Sequence, residues 1–251
     1  MNKRTSILIP DETHDGEAIR LGLQLLAGLA KENSSIRDCV LFIPGKANLQ
    51  HTTLNVVLGD KAAKVLDNGK SLRLGDCNIR LETLRSMKPY TQTDAVIVVY
   101  ADQKMMDLVD SNKNPRAVVA IPHLPDAINE WKRTWNPITP GGQVEEERLI
   151  QDAVVEAALK SLTSRINLGN KILNPRDEEA VKDAFRILRA NDHFEDTANI
   201  RAWCVKNGWD PRGADEAMKH AAKAFALKSK PKSPGSHWAP TIYAQWKASA
   251  Q

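Results

Sequence analysis

Acidic, imidazole and amine side chains follow directly after four apolar runs in the first half of the sequence. The six that we take as candidate site residues are Glu12, His14, Asp15, Lys46, Asp102 and His123. A carboxylate beside an imidazole can supply an acid and a base for cleavage of a glycosidic bond. A lysine and helix N-termini can hold a phosphate group while a carboxylate accepts a hydrogen bond from a ribose hydroxyl. Both chemistries require these residues to meet in one site.

The candidate residues are assigned two roles. We assign catalysis to Glu12, His14 and Asp102 and ligand binding to Asp15, Lys46 and His123. In the catalytic interpretation, His14 is the partner of a carboxylate. Asp15 also has a structural interpretation, because an aspartate directly before a helix is commonly an N-cap. His14 and His123 also have a structural interpretation, as polar groups of surface loops.

Sequence motifs for the common phosphate, dinucleotide and metal sites are absent. Gly45-Lys46 is followed by neither Ser nor Thr and lacks the earlier glycine of a Walker phosphate loop. No G-x-G-x-x-G follows the first apolar run, and H-E-x-x-H, G-x-S-x-G and paired-cysteine zinc patterns do not occur. We therefore predict no cofactor and no bound metal.

The four apolar runs predict buried parallel strands. They cover residues 6–10, 39–44, 95–100 and 117–122, and their nearly continuous apolar character is typical of strands that are covered on both faces. Helices are predicted at residues 16–30, 52–66, 103–109 and 126–135, and a short hairpin at residues 71–84. This alternation favours an α/β fold with a doubly wound, mainly parallel, Rossmann-like sheet. The loops after its strands would share one edge.

A Pro- and Gly-rich segment at residues 136–142 separates this region from one with helices alone. Helices are predicted at residues 143–162, from Pro175, at residues 197–206 and from Pro211. We therefore predict a Rossmann-like α/β domain at residues 1–137, an all-helical domain at residues 143–227, and an extended, basic, Pro- and Trp-containing tail at residues 228–251.

The helical region also suggests an alternative function in nucleic-acid binding. Two predicted helices joined by Asn207-Gly208 have a helix-turn-helix outline. Within residues 200–213, the I-R-x-W start, the N-G turn and the R-G pair resemble the small DNA-binding module of bacterial nucleoid-associated xenogeneic silencers. The resemblance implies minor-groove contact by an arginine after the R-G pair, where this sequence has Ala214. The candidate nucleic-acid contacts are Arg212, Lys219, Lys223, Lys230 and Lys232.

The positive charge is concentrated at the end of the sequence. The 251 residues carry a formal net charge of +4, and residues 217–251 hold six lysines and no acid. The preceding residues are therefore slightly acidic, which does not favour a nucleic-acid partner that is bound by the whole surface. Four large apolar side chains of the tail are expected to be shielded from water. They are Trp238, Ile242, Tyr243 and Trp246. We expect them to dock on the body of the protein or on a second copy in a homodimer.

Cysteine usage and the first residues favour a cytoplasmic protein. Cys39, Cys77 and Cys204 lie far apart and in or beside apolar stretches, which indicates buried thiols and no disulfide framework. The apolar stretch before Asp11 is too short for a signal peptide or a membrane span. We therefore predict a cytoplasmic location and no membrane partner.

Three functional hypotheses remain open at this point. The first is binding of a small phosphorylated or nucleotide-like ligand at the carboxyl ends of the strands. The second is hydrolysis or transfer at the N-glycosidic bond of a nucleoside or a nicotinamide dinucleotide. The third is nucleic-acid binding by the C-terminal helices and the basic tail.

Overall fold

The computed structural model describes residues 4–11, 14–142, 148–231 and 237–250. Contacts divide the chain into two compact units, Met1–Glu145 and Glu146–Gln251. The first is called the α/β unit below and the second the helical unit.

Among its described residues, the α/β unit is built on one sheet of six strands in the order β1-β6-β5-β2-β4-β3. The strands are β1 (Thr5–Leu8), β2 (Asp38–Ile43), β3 (Leu72–Leu74), β4 (Cys77–Thr83), β5 (Ala95–Ala101) and β6 (Ala117–Pro122). All neighbouring strands are parallel except β3, which pairs antiparallel with β4. The predicted hairpin is present, and its second strand also pairs in parallel with β2.

Helices cover both faces of this sheet, which confirms the predicted α/β fold class. They are α1 (Glu17–Glu32), α2 (Ala47–Gln50), α3 (Thr53–Leu58), α4 (Asp60–Asp67), α5 (Gln103–Ser111) and α6 (Asn129–Trp135). The first face is buried under α1 to α4 and the second under α5 and α6. The single helix predicted at residues 52–66 is wrong: Gly59, at φ +78° and ψ 152°, separates α3 from α4.

The chain leaves the neighbouring strands β2 and β5 toward opposite faces of the sheet. After β2 it forms α2, α3 and α4, which place Leu49 and Leu54 on the first face. After β5 it forms α5, which places Met105 on the second face. Because β2 and β5 are adjacent and parallel, a crevice opens between the two connections at their carboxyl ends. Open α/β sheets bind ligands at such switch points.

Helix α1 lies close to the sheet at one glycine. An ideal Cβ built on Gly22 would lie 2.9 Å from the Cδ1 atoms of both Ile97 and Ile121, whereas one built on Gly28 would have no atom within 4 Å. Gly22 therefore allows the close approach of α1 to β5 and β6, while Gly28 is open to solvent.

The segment after α6 runs along the outer edge of β1. The N–H of Leu8 donates to the carbonyl oxygen of Ile138 at 2.9 Å, and the N–H of Ile138 donates to the carbonyl oxygen of Ser6 at 2.9 Å. Ile138 forms an isolated parallel bridge with Ile7. The segment predicted as a domain break thus satisfies backbone groups of the edge strand.

In the helical unit, the described residues form five helices. They are α7 (Ala153–Arg165), α8 (Pro175–Ala190), α9 (Thr197–Lys206), α10 (Pro211–Phe225) and α11 (Ile242–Ser249). The helix predicted from residue 143 begins instead at Ala153, because the Asp152 side chain accepts the N–H groups of Val154 and Val155 as an N-cap. Residues 143–147 lie outside the described part of the chain.

The end of the chain packs on the helical unit. Where an extended tail was predicted, α11 forms after Pro240, and Trp246 is 1% exposed. Its Nε1 donates to Ser161 Oγ at 2.9 Å, and the Trp238 Nε1 donates to the carbonyl oxygen of Ala180 at 2.9 Å. These side chains are therefore covered within the unit. A homodimer through the tail stays a prediction.

Candidate functional site

A cavity of about 500 Å³ lies at the carboxyl ends of the strands of the α/β unit. Its lining comes from the segments after β1, β2, β5 and β6, namely Asp11, His14, Pro44, Asn48, Thr52, Thr53, Tyr100, Ala101, Asp102, His123, Leu124 and Ala127. The crevice between the β2 and β5 connections is therefore part of a formed cavity. Its volume is in the usual range for small-molecule sites.

Asp11 and His14 form a carboxylate–imidazole pair at this cavity. His14 Nδ1 lies 3.3 Å from Asp11 Oδ2, and the His14 backbone N–H donates to Asp11 Oδ1 at 3.0 Å. The Asp11 side chain is 4% exposed and that of His14 is 50% exposed. His14 has a positive φ of 55°, and its carbonyl oxygen accepts from Thr53 Oγ1 at 3.1 Å. A carboxylate at Nδ1 orients an imidazole for proton transfer at Nε2.

Three aromatic rings lie together in the cavity wall. The ring centroids of His14 and His123 are 5.0 Å apart, and those of Tyr100 and His123 are 6.2 Å apart in an edge-on arrangement. His14 follows β1 and His123 follows β6, which are adjacent parallel strands. The shared edge of the sheet thus brings these two histidines together.

Tyr100 reaches the cavity because of a β-bulge in β5. Val99 pairs with Ile121 and Ala101 pairs with Pro122, which leaves Tyr100 as the extra residue, at φ +59°. Simple alternation would place Tyr100 on the second face, but it packs on the first face beside Val99. A bulky side chain at positive φ is strained, and such strain is found mainly at functional sites.

The Tyr100 hydroxyl belongs to a hydrogen-bonded chain at the start of α3. It donates to Thr52 Oγ1 at 2.9 Å, and Thr52 Oγ1 donates to the carbonyl oxygen of Asn48. The Leu54 N–H donates to Thr52 Oγ1 at 3.2 Å and lies 3.3 Å from the Tyr100 hydroxyl oxygen. These bonds fix the side of the cavity that follows β2.

Asp102 lines the cavity and also caps α5. Its Oδ1 accepts the N–H of Met105 at 2.8 Å. Asp102 can therefore cap α5 and also contact a ligand in the cavity.

The structure brings three of the six candidate residues to the cavity: His14, Asp102 and His123. Asp15 is not in the lining, and it accepts the N–H of Glu17 at 2.9 Å at the start of α1. Lys46 is also outside the lining, and its Nζ contacts Asp67. Glu12 lies outside the described residues.

Five polar lining residues were not selected from the sequence: Asp11, Asn48, Thr52, Thr53 and Tyr100. Asp11 lies in the loop directly after the first strand. This is the same position in sequence that indicated the other candidate residues. The apolar run at residues 95–100 predicts Tyr100 as the last residue of a regular strand. In the described part of the chain, no group of three or more His, Cys, Asp or Glu side chains is arranged to hold a metal ion.

The candidate nucleic-acid residues have different surroundings. Arg212, Lys219 and Lys223 are exposed on α10, and Lys230 forms an ion pair with Asp192. Lys232 lies outside the described residues. Arg212 and Gly213 belong to the first turn of α10, and Ala214 is fully buried there. Nucleic-acid binding therefore stays a prediction.

A polar cluster joins α11 to the start of α7 in the helical unit. His193 Nδ1 lies 2.7 Å from Asp152 Oδ2, and its Nε2 lies 3.1 Å from the Tyr243 hydroxyl. Burial opposes ionisation of Asp152, but hydrogen bonds from His193, Val154 and Val155 outweigh it and lower the pKa of this carboxyl. The cluster holds the C-terminal helix in place.

All three cysteines are free and buried. Burial raises the pKa of the Cys204 thiol, and burial together with the neighbouring Cys77 raises that of Cys39. Both thiols therefore remain protonated and unreactive. None of the described helices combines the length and the apolar character that a membrane crossing requires.

A family described as a domain of unknown function (DUF1889) matches residues 151–247. This range covers less than half of the chain and lies within the helical unit. No curated protein and no solved structure matches the chain.

Proposed function

We propose that the α/β unit binds a small nucleotide-like ligand in the strand-end cavity. The observation that supports this most is the cavity of about 500 Å³ at the switch point between β2 and β5, lined by polar and aromatic side chains from four separate segments. Pockets with a largely apolar wall and a few convergent polar groups are the usual small-molecule sites.

The lining residues suit the two halves of such a ligand. The rings of His14, His123 and Tyr100 offer surfaces against which a flat base can pack. Asp11 and Asp102 offer carboxylate oxygens that accept hydrogen bonds from sugar hydroxyls.

Ligand binding by the intact chain is the first testable prediction. Nucleosides, mononucleotides and sugar phosphates are screened by thermal shift, and hits are measured by calorimetry. His123→Ala should weaken binding of a hit about tenfold, which corresponds to about 1.4 kcal/mol, because it removes one ring of the wall. His51→Ala is the matched control, since His51 is exposed and outside the lining. Absence of any hit, or equal weakening by both variants, contradicts the proposal.

We propose cleavage of an N-glycosidic bond as a second candidate function of the same cavity. The specific support is the Asp11–His14 pair, with 3.3 Å between Asp11 Oδ2 and His14 Nδ1, beside Asp102 in the same lining. His14, oriented by Asp11, takes a proton from the attacking water, whose oxygen bonds to the anomeric carbon of the sugar. The glycosidic C–N bond breaks with its electron pair going to the base; nicotinamide leaves as a neutral molecule, whereas a purine or pyrimidine takes up a proton from water. Asp102 stabilises the positive charge that develops on the sugar as the base leaves.

The second testable prediction is that the protein releases a free base from nucleosides or from nicotinamide dinucleotide. Chromatography measures the released base. His14→Ala should lower the rate at least about a hundredfold, as is typical when a general base is removed. Asp11→Asn should lower it less, because the imidazole remains. His51→Ala is again the control and should retain the full rate. Turnover that is unchanged in His14→Ala, or no turnover of any substrate, rejects this function while leaving ligand binding intact.

We also propose a cytoplasmic location. The support is that all three cysteines are free and buried, as is common in proteins of reducing compartments.

A further inference from the structure

We propose that the strand-end cavity selects an unphosphorylated nucleoside, neutral or positively charged, and discriminates against the corresponding phosphate. This inference rests on the proposed function, since it concerns the substrate class of the same site. It narrows the ligand from any nucleotide-like molecule to one without a phosphate group.

The charged side chains of the cavity wall are acidic in the part of the chain that the structure describes. Asp11 and Asp102 are the charged side chains among the described residues that line the cavity, and none of those residues is lysine or arginine. The Asp11 carboxylate is 4% exposed, and among the described residues its hydrogen-bonding partner is His14. A phosphate dianion in this cavity would face two carboxylates without a lysine or arginine to compensate them, and repulsion at short range is strong when water is excluded.

One lysine that could have bound a phosphate lies outside the cavity wall. Lys46 follows β2, but its Nζ donates to the carbonyl oxygen of Asp67 at 2.6 Å and lies 3.1 Å from Asp67 Oδ1. Its side chain is therefore engaged at the end of α4. It is not part of the cavity wall.

Backbone N–H groups at the start of a helix commonly bind phosphates. At α5, the N–H of Met105 is bound by Asp102. At α3, the N–H of Leu54 is bound by the Thr52 and Tyr100 hydroxyls. The protein's own side chains thus occupy one N–H at the start of each helix, and the side chain at α5, Asp102, is itself an anion.

The same groups suit a nucleoside. Carboxylates accept hydrogen bonds from ribose hydroxyls and from exocyclic amines, and they attract a cationic base. A ribose 5′-hydroxyl is a neutral donor, whereas a 5′-phosphate adds negative charge at that position.

The test compares matched pairs on the intact chain by calorimetry at about pH 8, above the range in which histidine usually gains its charge. The pairs are adenosine with its 5′-monophosphate, cytidine with its 5′-monophosphate, and nicotinamide riboside with nicotinamide mononucleotide. We expect at least one nucleoside to bind about tenfold more tightly than its phosphate.

Two variants localise the effect to the wall. Asp102→Asn removes the charge but keeps an N-cap, because asparagine caps helices about as well as aspartate. Asp11→Asn removes the charge while keeping an oxygen for the His14 N–H. Each should reduce the nucleoside-to-phosphate affinity ratio at least about threefold. Asp76→Asn, in the exposed β3–β4 turn and outside the cavity lining, should leave the ratio unchanged.

The outcomes separate the two proposals. Binding of a monophosphate as tightly as its nucleoside overturns this inference and leaves the proposed function standing. A ratio that does not change in either cavity variant, or changes as much in Asp76→Asn, also overturns it. Absence of binding by every probe rejects the proposed function and the inference together.

Discussion

Trp246→Ala should lower the free energy of unfolding of the helical unit by about 3–5 kcal/mol. Trp246 is 1% exposed, its ring lies 5.4 Å from that of Trp238, and its Nε1 donates to Ser161 Oγ. Truncation removes the buried ring, leaves a cavity beside α7, and deprives the half-buried Ser161 hydroxyl of its donor. It should therefore also release the C-terminal segment.

Urea unfolding gives the size of this loss, and hydrogen exchange by mass spectrometry gives its location. Peptides from residues 153–165 and 237–250 should exchange faster in Trp246→Ala, while peptides from the α/β unit serve as an internal reference. Phe194→Ala is the matched control, because Phe194 is an exposed aromatic of the same unit, and it should cost about 1 kcal/mol or less. Equal losses in the two variants would show that the tail does not contribute through Trp246.

Gly22→Leu should destabilise the α/β unit by about 3 kcal/mol, at the upper end of the usual cost of overpacking. Even a Cβ at this position would lie 2.9 Å from Ile97 Cδ1 and from Ile121 Cδ1. Rotation of the isoleucine side chains can accommodate one methyl group, but a leucine requires α1 to move away from β5 and β6.

Gly28→Leu is the control on the same helix. No atom lies within 4 Å of a Cβ at Gly28, and leucine favours a helix more than glycine does by up to about 1 kcal/mol. This variant should therefore be as stable as the unchanged chain or slightly more stable. Urea unfolding and hydrogen exchange over residues 17–32 measure the stability of both variants. If Gly22→Leu is no less stable than Gly28→Leu, the close contact between α1 and the sheet is incorrect.

The sequence predicted the strands and helices α8, α9 and α10 well because their signals are local. Four apolar runs without alternation predicted β1, β2, β5 and β6 of a sheet covered on both faces. Asn174-Pro175 predicted the start of α8, which begins at Pro175 with the Asn174 side chain as its cap. A cap and a first-turn proline act within a few residues, so no knowledge of tertiary contacts was needed.

The candidate site was predicted only in part because side-chain direction depends on tertiary contacts. His14 and His123 follow parallel neighbouring strands, and the fold class alone places them at one edge. Tyr100 reaches the cavity through a one-residue bulge, which alternation does not predict. Lys46 has the expected position in sequence, but Asp67 at the end of α4 binds its amine elsewhere.

The C-terminal helix was missed because three prolines and several lysines indicated an extended chain. The prolines at positions 231, 234 and 240 all precede Ile242, so none of them interrupts α11. Ile242 and Trp246 are four residues apart, which is the spacing of one helical face. The spacing of these two apolar residues indicates a helix, but it covers little more than one turn.

The hydrogen bonds that Ile138 makes along β1 affect whether another copy of this chain can add a strand to that edge of the sheet. On the outer edge of β1, the Ser6 carbonyl oxygen and the Leu8 N–H are bound by Ile138, and the opposite edge strand of the sheet, β3, has three residues. Neither border offers a long unsatisfied row for recruitment of a second sheet. Self-assembly through continuous intermolecular β-structure is therefore disfavoured in the folded state.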